Sequence, residues 1–80
     1  MENIEDIELD CRGMKCPRPI IELAKAKRNA SPGSIINIIA DDLAFESDVK
    51  AWCQTTGNKI IDFNKEENIV KVSIEICEVS

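Results

Sequence analysis

From Ile7 to Cys11 apolar and acidic residues alternate, with Ile7, Leu9 and Cys11 on one side and Glu8 and Asp10 on the other. Period two marks a strand with one buried face. Arg12-Gly13-Met14-Lys15 breaks the pattern as a loop, in which Gly13 is free to adopt positive φ. The spacing then turns helical from Pro17 to about Asn29, where Ile20, Leu23 and Ala24 form the apolar side with Ile21 on its flank. Ser31-Pro32-Gly33 stops this helix and turns the chain. Ile35 to Ala40 is a short strand, apolar on both faces apart from Asn37, as expected of a central position. Phe45, Val49, Trp52, Cys53 and Thr56 follow at i, i+4, i+7, i+8 and i+11, one stripe of a second helix. Asp41 and Asp42 end the preceding strand and offer oxygens for turn or capping bonds, Ser47 is a second cap candidate for a later start, and Gly57-Asn58 closes the helix. Lys59 to Phe63 is a third strand and Asn64 to Asn68 a polar turn. Val70, Val72, Ile74 and Ile76 then alternate with Lys71, Ser73, Glu75 and Cys77 in a fourth strand.

The predicted order is βαβαββ. A helix between two strands favours a right-handed crossover, parallel pairing and helices on one face, whereas two strands joined by a short polar turn form an antiparallel hairpin. The expected fold is an α/β (α+β) two-layer sandwich: a four-stranded mixed sheet with two helices on one face, residues 1–80 making one small domain. Both helical stripes should pack on Ile36, Ile38, Ile61, Val72 and Ile74. Ile35, Ile39 and Ile60 are assigned to the uncovered sheet face, a candidate partner surface.

Composition narrows the class. Hydrophobic residues make up 44% of the 80, but only Phe45, Trp52 and Phe63 are aromatic, so the core is aliphatic. No apolar run has the length of a membrane span, and the acidic start Met1-Glu2-Asn3 is unlike a signal peptide; a cytoplasmic protein with no membrane partner is expected. A net charge of −5 argues against direct nucleic-acid binding through phosphates. The charge is unevenly spread: Arg12, Lys15, Arg18, Lys25, Lys27 and Arg28, six of the ten cations, fall within seventeen residues beside a single acid, Glu22.

That basic stretch surrounds Cys16-Pro17-Arg18-Pro19. Proline suits a helix's first turn because the N–H it lacks has no intrahelical partner there. Pro17 and Pro19 therefore pin the helix start and set Cys16 at or beside the N-cap, with the N–H groups of Arg18 and Ile20 placed to point back at the sulfur. The partial positive charge of a helix N-terminus stabilises a thiolate, the nucleophilic form. Arg12, Lys15 and Arg18 add a local positive field that lowers the thiol pKa further and draws in anionic sulfur species or an acidic partner. Lys25, Lys27 and Arg28 read equally well as a solvated helix face.

The remaining cysteines read differently. Cys53 lies in the apolar stripe of the second helix and is assigned to the core. Cys77 lies on the polar face of the last strand and is expected to be exposed. Cys11 admits two readings, a core residue continuing the face of Ile7 and Leu9, which the pattern favours, or a second thiol that resolves chemistry at Cys16. No zinc-type double pair of cysteines occurs and the chain has no His, so neither a metal site nor a cysteine hydrolase with its general base is expected. No phosphate-binding glycine loop or other cofactor motif is present. A lone thiolate can still accept a sulfur atom as a persulfide and pass it on.

The string Leu9-Asp10-Cys11-Arg12-Gly13-Met14-Lys15-Cys16-Pro17-Arg18-Pro19 resembles the signature of the TusA/SirA family of small sulfur-carrier proteins. The similarity runs on through Pro32-Gly33, Asp41-Asp42 and Gly57, from about Ile7 to Ile76. The resemblance implies a βαβαββ sandwich whose Cys-Pro-x-Pro cysteine, here Cys16, is the persulfide carrier on an exposed helix start. It implies a carrier-type sulfurtransferase without cofactor, supplied by a cysteine desulfurase or another sulfane-sulfur donor and emptied by a DsrE-like acceptor. Destinations in the family include tRNA thiolation, molybdenum-cofactor synthesis and sulfur oxidation. A redox-sensing or regulatory module of the SirA/YedF type, without sulfur transfer, is the alternative. Cys11 and Arg18 stand where family members differ.

Overall fold

Each change of sequence period becomes a change of element in the computed structural model, which describes residues 6–15 and 18–77. The elements are β1 (Asp6–Cys11), α1 (Arg18–Arg28), β2 (Ile35–Ala40), α2 (Phe45–Thr56), β3 (Lys59–Glu66) and β4 (Ile69–Glu75). They form the expected two layers: one four-stranded mixed sheet, order β1-β2-β4-β3, with both helices on one face and against each other. β1 pairs parallel to β2, while β4 pairs antiparallel to both β2 and β3. The crossover through α2 therefore does not end in a β2–β3 pair. The hairpin folds β4 back into the gap, and β4 bonds to strands on both sides.

Alternation builds the core. Ile36, Ile38 and Ala40 of β2 and Val70, Val72 and Ile74 of β4 point towards the helices and are buried, followed by Ile76 just beyond β4. Leu23 of α1 and Phe45, Val49 and Cys53 of α2 close the layer from above. Truncating a side chain as enclosed as Leu23 or Phe45 costs about 2–5 kcal/mol, from lost transfer energy and the cavity left behind.

Several boundaries differ from the sequence reading. In α1, Leu23 is buried and Ile20 packs on the core as expected, Ala24 is half-buried, and the inward side also takes in Pro19 and Ala26, with Ala30 just beyond the helix. The inward side is thus the stripe expected through Ile20, Leu23 and Ala24, widened towards Pro19 and Ala26. In β3, Ile60 packs on the core and Ile61 is exposed, the reverse of expectation. The cause is a register shift between Ile60 and Asp62, which sets Ile60 opposite Ile74 and Asp62 opposite Ser73. Ile61 is the extra residue of a bulge, and Phe63 returns to the core side opposite Val72. β3 also runs on through Asn64, Lys65 and Glu66, so the turn shrinks to Glu67-Asn68. Two-residue hairpins demand positive φ, and Glu67 takes it at 53°.

Helix α2 begins after Ala44, itself helical at φ −79° and ψ −11°, with no side-chain cap. Ser47 bonds instead to the Ala44 carbonyl, at 3.3 Å. The C-terminus is as read: Gly57 sits at φ 78° and its N–H donates to the Cys53 carbonyl at 2.9 Å. The sheet face without helices carries half-buried Ile35 and Ile39 beside a polar row. In that row Ser73 Oγ donates to Asn37 Oδ1 at 2.6 Å and Asn37 Nδ2 to Glu8 Oε2 at 2.8 Å.

Candidate functional site

β1 leaves the sheet at Cys11, where the parallel ladder ends opposite Ala40. Beyond it lies the Arg12–Lys15 loop that leads to Cys16. Cys16 and Pro17 lie outside the described residues, as do the expectations that Cys16 caps the helix and that Pro17 opens it. The chain on either side of them is described closely.

Arg12 turns back onto Asp10. Its Nε donates to Oδ1 at 2.9 Å, its Nη2 to Oδ2 at 2.8 Å and its backbone N–H to Oδ1 at 3.2 Å. These hydrogen bonds hold the Asp10 carboxyl down at about 2, and the same carboxylate raises Arg12 in return. The guanidinium charge is thus met within its own loop, which corrects the expectation that Arg12 adds to a positive field at the cysteine. Lys15 and Arg18 are exposed, and among the described residues neither has an ion-pair partner. The first turn of α1 holds no acidic residue to offset them.

The loop is held at its middle and at both ends. Met14 N–H donates to the Cys11 carbonyl at 3.2 Å, and the Met14 side chain packs on the core. Gly13, at φ 85°, turns its N–H to the Asp41 carboxylate, 3.0 Å from Oδ1 and 3.2 Å from Oδ2. The sequence offers the Asp41 oxygens for turn or capping bonds, but does not point to Gly13 as their partner. Only the β1–β2 register reveals it, because one step past Cys11 and Ala40 places Asp41 beside the start of the loop. On the far side of Cys16, Arg18 N–H donates to the Lys15 carbonyl at 2.8 Å. The sulfur that this N–H and that of Ile20 were expected to face lies outside the described residues. Pro19 is fully buried, and lacking an N–H it seats the start of α1 in the core without leaving a donor unpaired.

The other thiols separate by burial. Cys11 is 1% exposed, and burial, then the Glu22 and Asp10 carboxylates, push its thiol up. This agrees with the core reading, since a buried, protonated thiol is a poor nucleophile. Burial, then neighbouring Cys77, raises Cys53 to about 11. Cys77 is half-buried rather than exposed, because its N–H donates to the side-chain oxygen of buried Asn58 at 3.0 Å. All three are free thiols. Among the described residues no three His, Cys, Asp or Glu side chains group as metal ligands, and no helix is long and apolar enough to cross a membrane.

The braced loop at the end of the first strand thus feeds a helix beside two exposed cations, Lys15 and Arg18, that have no ion-pair partner among the described residues. The family profile described as Sulfurtransferase TusA matches residues 7–76. The sulfur carrier protein TusA of Allochromatium vinosum is 37% identical over 62 residues, 78% of this chain and 80% of that protein. A relative from Archaeoglobus fulgidus, provisionally named a sulfur carrier, is 34% identical over 72 residues, 89% of this chain and 94% of its own. In three dimensions a SirA-like protein of Desulfitobacterium hafniense matches with a TM-score of 0.77 at 22% identity, over 90% of this chain and 99% of the other. That match bears on the fold, and the sequence matches decide the lineage: the chain belongs to the TusA family of sulfur carriers.

Proposed function

We propose that Cys16 is the working residue and carries sulfane sulfur as a persulfide between two protein partners. The observation that supports this most is the bracing of the chain on both sides of Cys16, with Lys15 and Arg18 exposed and, among the described residues, without ion-pair partners. The Cys16 thiolate attacks the outer sulfur of a donor persulfide. The S–S bond of the donor breaks, its thiolate leaves, and Cys16 holds the transferred sulfur as R–S–S⁻. An acceptor thiolate then attacks that outer sulfur, and the Cys16 thiolate leaves in turn. Each exchange conserves electrons and needs neither cofactor nor metal. A general base is also unnecessary if the thiol is already ionised, which fits a chain without histidine.

In this reading Lys15 and Arg18 attract anionic sulfur and steer acidic partner surfaces, Pro17 and Pro19 set the helix start, and Arg12 stiffens the loop through Asp10. The carrier domain takes in residues 1–80 and works in the cytoplasm. The donor is a cysteine desulfurase or another sulfane-sulfur source, and the acceptor a DsrE-like protein in a relay such as tRNA thiolation. Nucleic acid and membrane take no direct part. Buried Cys11 is no resolving thiol for the persulfide.

Intact-mass measurement after incubation with a desulfurase and cysteine, or with polysulfide, tests the proposal. The wild-type protein gains the mass of one sulfur atom, released by a thiol reductant. Cys16→Ser abolishes the gain, and Cys11→Ser leaves it intact. Reducible loading that persists in Cys16→Ser would move the chemistry to another cysteine. Failure to load from any donor, with stoichiometric binding to a regulator, would favour the redox-sensing module.

A further inference from the structure

The Asp41 carboxylate has an unusual position. It sits one residue past the last β1–β2 pair, Cys11 opposite Ala40, where the backbone ladder ends. There it does what the next ladder carbonyl would have done, taking the N–H of Gly13 on both oxygens at 3.0 and 3.2 Å. Gly13 is the one described residue of the loop in the left-handed region, at φ 85°. The N–H that this conformation turns towards β2 is the one Asp41 receives. Gly13 stands three residues before Cys16 in the chain. The loop's other described ties are Arg12 with Asp10 and Met14 with Cys11. Both are local to β1, and the Lys15 carbonyl takes the N–H of Arg18, three residues on, so among the described residues Asp41 alone ties the loop's backbone by hydrogen bond to an element distant in sequence.

We propose that Asp41 is a positioning residue for Cys16: its hydrogen bonds to Gly13 fix the Arg12–Lys15 loop to the end of β2 and so fix the presentation of the thiol. The proposal rests on Cys16 as the working thiol, but its test reads thiol ionisation and not sulfur transfer. A thiolate is stabilised by a helix terminus and by cations only while the distances to them are held, because the helix effect falls off within the first turn. Freeing the loop raises the Cys16 pKa towards that of an ordinary thiol. Asp41 is also an anion, and removing its charge alone would move the same pKa down. Hydrogen bonding and charge therefore act in opposite directions, which makes them separable.

The experiment is the pH dependence of Cys16 alkylation by iodoacetamide, a neutral reagent, followed by peptide mass in the full chain. In Asp41→Ala, where neither acceptor remains, the midpoint rises by about one pH unit. Below the midpoint the rate falls about threefold, the loss of thiolate being partly offset by the greater nucleophilicity of a more basic thiol. Asp41→Asn keeps one acceptor oxygen and restores the midpoint to the wild-type value or slightly below it. Protection of the Gly13 amide from hydrogen exchange in wild type and Asp41→Asn, lost in Asp41→Ala, accompanies these shifts. Should the alanine variant fail to fold, Asp41→Glu replaces it, keeping the charge while displacing the oxygens by one methylene, with the same upward shift expected. A fall in midpoint in both Asp41→Ala and Asp41→Asn would assign Asp41 a purely electrostatic role and overturn the proposal. An unchanged midpoint, or an unprotected Gly13 amide in the wild type, would overturn it as well. None of these readings depends on persulfide loading, so failure of the sulfur-carrier mechanism would show separately in the mass experiment.

Discussion

At the scale of single residues, the three described cysteines are divided by their surroundings. Cys11 and Cys53 are enclosed by aliphatic side chains, where an anion is poorly solvated, so both thiols hold their protons beyond the ordinary range. The folded pKa of Cys53, about 11, exceeds the ordinary thiol value of 9.0. A group shifted in this direction stabilises the fold fully below its unfolded pKa, and the contribution is lost as pH rises through the folded one. Resistance to denaturant should therefore decline between about pH 9 and 11, and Cys53→Ala should flatten the decline at the cost of a lower midpoint at neutral pH. In the native protein at neutral pH, Cys53 should also be the thiol slowest to react with a charged alkylating agent. Rapid labelling of Cys53 in folded protein would contradict its enclosure. Asp10 works in the opposite sense: its carboxyl is held at about 2, so the Arg12 fork persists down to strongly acid solution.

Among elements, β3 departs most from its sequence pattern. Lys59-Ile60-Ile61-Asp62-Phe63 offers two adjacent isoleucines, and strict alternation cannot bury both Ile60 and Phe63. The bulge resolves this by setting Ile61 and Asp62 against the single residue Ser73, so that both inward residues reach the core. Charge substitution distinguishes the two isoleucines. Ile60→Lys should lower the denaturant midpoint clearly, because it drives an ammonium into packed aliphatic surface. Ile61→Lys should stay within about 0.5 kcal/mol of wild type, as exposed substitutions do. The reverse ranking would place the register one residue away from that described. Lys50 reinforces the same region from α2, its Nζ lying 5.1 Å from the centre of the Phe63 ring and bonded to Glu46, which also reaches Lys65. These contacts tie α2 to β3, though as exposed ion pairs they contribute little energy individually.

For the whole molecule, the strand order makes the last strand central. β4 bonds to β2 on one side and β3 on the other, and among the described residues it alone joins the two halves of the sheet. Val70, Val72 and Ile74 also place three of its seven residues in the core. A chain ending before Ile69 should accordingly lose cooperative unfolding and near-native dispersion of its NMR spectrum, although it keeps both helices and the Cys-Pro-x-Pro segment. Retention of a cooperative transition by that fragment would show that the βαβ half is stable on its own.

The sequence by itself determined what depends on neighbours along the chain. Periods of two and of about 3.6 residues set β1, β4 and the two helices, because burying one face requires that spacing whatever lies opposite. Gly57 ended α2 because positive φ is a local requirement. The concentration of cations around Cys16-Pro17-Arg18-Pro19 marked the candidate site without any knowledge of the fold. What only the tertiary structure decided depends on residues distant in sequence. The insertion of β4 between β2 and β3, the bulge at Ile61 and the seating of Pro19 in the core follow from which surfaces meet. The same holds at the site. The pairing of Arg12 with Asp10 could be reached from local spacing, but the bond from Gly13 to Asp41 joins residues 28 apart. It exists because parallel pairing brings the end of β2 beside the loop, and hydrogen bonds of that range are invisible until strand order is known.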